Sequence, residues 1–94
     1  MSTGQSQSLS VETNTLTELS SITIDCLESV RLSKCQRALS LTEELQRQAA
    51  EYGNYSCQSL LLGLGAELIM ASLNEPRTDS ALAIFRDLEV ICRQ

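Results

Sequence analysis

Between Ser56 and Leu73 the chain reads SCQSLLLGLGAELIMASL, and its apolar residues run almost all the way round a helix, with Glu67 the only charge. A helix on the surface of a small domain ordinarily shows one apolar stripe and one polar face. A helix that is apolar on most sides needs cover on most sides, and a chain of 94 residues can hardly provide it alone. The pattern therefore predicts a helix over 55–73 that something else helps to cover. The run from Cys57 to Leu73 holds Glu67 and two glycines. It is shorter than the about 20 apolar residues of a membrane span, where a central carboxylate is also costly. A membrane span is not expected.

The flanking periodicity is helical as well. Residues 1–12 are rich in Ser, Thr and Gln without a hydrophobic period, and read as a disordered tail before a helical domain over 13–94. Thr15-x-x-Glu18 has the form of a capping box and opens a predicted helix over 16–31 with Leu19, Ile22, Cys26 and Val30 inward. Ser33-x-x-Gln36 has the same form and places a break near 32–33, although one long helix through this region fits the pattern too. The next helix, 34–52, would bury Ala38, Leu41, Leu45, Ala49 and Tyr52 and leave Glu43, Glu44, Arg47 and Glu51 outside. Gly53-Asn54 ends it, and Asn54 can cap its successor. Asn74-Glu75-Pro76 makes the next break, and Asp79 can cap a last helix to about residue 92 with Ala81, Ile84, Phe85, Leu88 and Cys92 inward. The expected fold is all-α, four helices arranged as two antiparallel hairpins, with no strand.

Composition narrows the chemistry. Hydrophobic residues make up 43% but aromatic ones only 3%, so the core must be built from small aliphatic side chains that bury little area each. A modest core gains from an oligomer or partner. The net charge of -5, with Arg31, Lys34 and Arg37 the nearest approach to a basic cluster, argues against nucleic acid, whose binding rests on phosphate neutralisation. There is no histidine, hence no conventional general base and no activator for a cysteine nucleophile. No enzymatic site and no cofactor are expected. Cys26, Cys35, Cys57 and Cys92 contain no C-x-x-C pair, so no metal site is expected either. The opening MSTGQSQSLS has neither a basic leader nor an apolar core. The cysteines accordingly read as reduced, buried small hydrophobes of a cytoplasmic protein, a Cys26–Cys35 bridge being the conceivable exception. Asn54-Tyr55-Ser56 is formally a glycosylation acceptor, of little meaning in that compartment. Glu67 is expected to emerge to solvent or to pair with an arginine such as Arg37 or Arg86.

A repeat emerges at a shift of 43 residues. Ala38-Leu39-x-Leu41-x-x-Glu44-Leu45 matches Ala81-Leu82-x-Ile84-x-x-Asp87-Leu88, Ser33 falls on Pro76, and Leu19, Cys26 and Val30 fall on Leu62, Ile69 and Leu73. With Leu64-Gly65, Leu68, Ala81 and Phe85, the chain here resembles the tetratricopeptide (TPR) family. That resemblance implies a stack of helical hairpins in which Gly65, Ala81 and Ala38 let paired helices approach closely. The turn is longer than in that family, the first hairpin lacks the glycine, and only two hairpins are present. Within 56–90, SLLLGLG and SLNEPRTDSALAI also resemble the small TPR-like chaperones of bacterial type III secretion needles. The implied function is a non-enzymatic, cytoplasmic module that buries a partner's amphipathic helix in an apolar groove, to which Leu61, Leu64, Leu68, Phe85 and Leu88 are assigned. The glycines Gly63 and Gly65 would floor that groove or serve packing within the chain. The alternative is a self-associating bundle, a homo-oligomer with a regulatory or structural role, and a third reading makes the Ser-rich tail itself a signal.

Overall fold

The computed structural model describes residues 13–29 and 31–93. Over these the chain is all-α: α1 (Thr13–Ser29), α2 (Leu32–Glu51), α3 (Tyr55–Ser72) and α4 (Thr78–Ile91). Consecutive helices pack on one another, most extensively α2 on α3, and α1 also reaches α3 and α4. The core is aliphatic and small, with Leu16, Leu19, Leu45, Leu61, Leu64, Leu68 and Leu88 its largest fully buried side chains. The tail over 1–12 and the inward position of Val30 lie outside the described residues.

The first two helices are separate. Arg31, in the extended region at φ -85° and ψ 135°, is the N-cap residue of α2 and makes no side-chain cap bond. Ser33 therefore sits in the first turn instead of capping, and Thr15 lies within α1, which already includes Thr13. Helix propensity does not force this break, but a covalent bond requires it. Cys26 and Cys35 are joined by a disulfide with their Cα atoms 4.6 Å apart. In an unbroken helix nine residues would rise about 13 Å. A second disulfide, Cys57–Cys92, ties the first turn of α3 to the C-cap of α4. All four cysteines are thus paired, which corrects the expectation of reduced thiols. Neither cysteine spacing nor the opening residues fix redox state, because pairing depends on which helix ends meet.

The two ends rich in turn residues behave as their chemistry demands. Gly53 adopts φ +77°, and the Gly53 and Asn54 amides donate to the carbonyls of Ala50 and Ala49. Asn74 adopts φ +67°, with the Asn74 and Glu75 amides donating to Ala71 and Met70. Both are Schellman closures, in which a left-handed residue returns two amides to the last turn.

Burial departs from expectation at two places. Tyr52, expected inward, is 44% exposed because it follows the end of α2 as its C-cap. Leu19 and Cys26 are fully buried, but their counterparts at a shift of 43 residues, Leu62 and Ile69, are 57% and 48% exposed. The repeated pattern along the chain therefore does not carry over into equal burial, and this difference creates the surface described next.

Candidate functional site

Two stripes run along opposite sides of α3. Cys57, Leu61, Leu64, Leu68 and Ala71 are buried, spaced four, three, four and three residues apart. Leu62, Ala66, Ile69 and Leu73 are exposed, spaced four, three and four apart. Each has the heptad spacing of a helix-packing seam. The first is filled by this chain's other helices, whereas the second faces outward with Leu73 66% exposed and Tyr55, about two turns before Leu62, 65% exposed.

The five residues assigned to a groove are placed otherwise than expected. Leu61, Leu64, Leu68, Phe85 and Leu88 all lie in the core, the most accessible of them, Phe85, at 7%. They belong to one core covered by the chain, and of the five only Leu61 also borders the open cleft between α2 and α3, at its floor. The aligned apolar surface that α3 leaves exposed lies on the opposite seam, while Ile24, Leu32, Tyr52, Leu82 and Val90 are exposed elsewhere. Sequence reasoning missed it because α3 has nearly uniform apolarity, and the heptad spacing of both stripes was the available signal.

A cleft of about 240 Å³ flanks the exposed stripe between α2 and α3. Leu39, Thr42 and Glu43 of α2 and Leu62, Gly65 and Ile69 of α3 are among its walls. Gly65 is buried on the α2 side, and a Cβ added there would meet Leu39 at 3.6 Å and Thr42 at 4.0 Å. It is Gly63 that faces α4, where an added Cβ would meet Ile84 at 3.6 Å. Gly65 therefore does not set the approach of α3 to Ala81, although Ala81 and Ala38 are both fully buried. These separations are ordinary contact distances, so neither glycine is dictated by steric need.

The only charge on α3 is bound within the chain. Glu67 is 5% exposed and accepts from Arg77 Nε at 3.1 Å and Nη2 at 2.5 Å. Its partner comes from the α3–α4 connection, neither Arg37 nor Arg86, because that connection folds back over the last turns of α3. The hydrogen bond to Glu67, and then its charge, raises the Arg77 pKa above the ordinary guanidinium value. A two-pronged pair of this kind fixes geometry more than it offers chemistry. At the opposite end, Asn54 caps two helices at once. Its Oδ1 accepts from the Cys57 amide of α3 at 3.2 Å, and its Nδ2 donates to the Ile91 carbonyl of α4 at 3.2 Å. Beside the Cys57–Cys92 bridge, this pins the start of α3 to the end of α4.

Among the described residues no three His, Cys, Asp or Glu side chains gather where they could hold a metal ion, and no helix is long and apolar enough to cross a membrane. No protein-family model, curated protein or solved structure matches the chain.

Proposed function

We propose that this chain is a non-enzymatic protein-binding module: a disulfide-stapled helical domain that offers the outer face of α3 to an apolar stripe on another helix. One observation carries the reading. Leu62, Ala66, Ile69 and Leu73 form an exposed seam at heptad spacing with no charge in it. Single exposed apolar residues are ordinary, but an aligned row of them marks an interaction surface. A helix laid along such a row reads it through anchors three and four residues apart. A TPR-like stack remains the architecture proposed for the module, supported by the packing of consecutive helices and of α1 on α3. In such a stack the outer face of α3 is where a further hairpin would stand.

The two disulfides favour an oxidising compartment over the cytoplasm. The narrower reading, a chaperone of type III secretion needles, rests on the resemblance within 56–90 alone, and its cytoplasmic setting is not what the two disulfides favour. The general reading does not depend on compartment.

The test uses a labelled, monomeric amphipathic peptide with leucines at heptad spacing, titrated with the oxidised chain and followed by fluorescence anisotropy. Saturable binding is expected, weakened about tenfold or more by Ile69→Asp, since that change strands a charge in the seam. Circular dichroism of the variant should match the parent because Ile69 is outside the core. No binding up to millimolar protein, or equal binding by the variant, would overturn the assignment.

A further inference from the structure

We infer that the occupant of the outer face of α3 is the same face of a second copy, with the two α3 helices antiparallel about a two-fold axis passing between Ala66 and Ile69. The inference rests on the preceding reading of that face as a docking surface and names its partner.

The stripe is self-complementary when reversed. Its spacings of four, three and four read the same in either direction. Antiparallel pairing sets Ile69 over the partner's Ala66, and Leu62 against the partner's Leu73. Large side chains then meet small ones at the centre, the alternation by which facing helices interdigitate. Parallel pairing would set Ile69 on Ile69 and leave a void at Ala66. The arrangement is isologous, so the contact closes at two copies.

Charge points the same way. The seam holds none, and Glu67, the only charge on the helix, is buried and occupied by Arg77. Self-pairing therefore strands no ion of α3, and the nearest carboxylate, Glu43 on the α2 wall of the cleft, is exposed. A partner recognised by complementary charge would find nothing in the seam to read.

The extent of the surface sets the strength. From Leu62 to Leu73 the seam is about 17 Å long, and its four side chains, with the Leu39 rim of the cleft, expose less than the about 800 Å² per partner of a standard interface. The dimer is accordingly weak and reversible. Each copy carries a net charge of -5, so added salt strengthens association by screening their repulsion.

The deciding experiment is sedimentation equilibrium of the full oxidised chain from micromolar to millimolar concentration. Wild type should follow a monomer–dimer equilibrium. Leu62→Glu and Leu73→Lys should each weaken it about tenfold or more. The double variant should associate about tenfold more tightly than either single one, because antiparallel pairing opposes Glu to Lys at both ends. Both positions are exposed, and circular dichroism verifies that each variant is folded. A double variant weaker than the singles overturns the antiparallel pairing, and indefinite association overturns the closed dimer. Wild type that stays monomeric while it binds the leucine peptide overturns the self-pairing and leaves the docking surface standing. Wild type that does neither removes both.

Discussion

Thr23 is fully buried, and its hydroxyl is the only buried side-chain nitrogen or oxygen among the described residues without a hydrogen-bond partner. Thr42 shows the satisfied case: it is 2% exposed, and its hydroxyl donates to the Ala38 carbonyl one turn back at 2.8 Å. An unpaired buried polar group costs about 1–3 kcal/mol, whereas a formed hydrogen bond contributes about 0.5–1.5 kcal/mol net. Thr23→Val is thus expected to stabilise the fold by about 1 kcal/mol, measured by urea denaturation, with Thr42→Val as the contrast that gains nothing. A loss of stability in Thr23→Val would mean that the hydroxyl has a partner. Neither threonine could be placed inside from its residue type, because threonine is ordinarily exposed. Leu16 and Leu27, by contrast, are buried at positions helical spacing can reach.

The helices were legible to within a few residues wherever a turn residue has one conformational use. Gly53 and Asn74 take left-handed backbone, which favours those residue types, so the ends of α2 and α3 follow from local chemistry. The start of α2 was not legible in the same way, because Ser33 and Gln36 have the letters of a capping box but lie inside the helix. A motif of two residues cannot outweigh a nearby disulfide. Within α3 the glycines appeared to demand a close helix approach, and the contact distances remove that demand. A glycine inside a helix is about 1 kcal/mol less favourable than alanine. Gly63→Ala and Gly65→Ala are each expected to raise stability by about 0.5–1 kcal/mol, seen as a higher urea midpoint at unchanged slope. Destabilisation by either would show that the neighbouring Ile84 or Leu39 cannot yield.

For the molecule as a whole the covalent frame matters most. Cys57 and Cys92 are 35 residues apart and Cys26 and Cys35 only nine. Closing the longer loop restricts the unfolded chain more, by about 4 kcal/mol against about 3 for the shorter one on the chain-entropy account. Cys57→Ser/Cys92→Ser should therefore lower the free energy of unfolding more than Cys26→Ser/Cys35→Ser, and reduction should exceed either alone. Alkylation of the folded chain followed by mass spectrometry should find no free thiol. The reverse order of the two pairs would show that strain or local packing outweighs loop entropy.

The amino-acid sequence by itself determined an all-α chain of four helices, the turns after α2 and α3, an aliphatic core, and the unusual apolarity of α3. Those properties follow from periodicity and from residues with few conformational options. Only the tertiary structure decided which of α3's two seams faces inward, that Glu67 meets Arg77, and that the four cysteines pair. Each of these depends on which helix ends and faces come together, and a helix apolar on opposite sides carries no local preference between them.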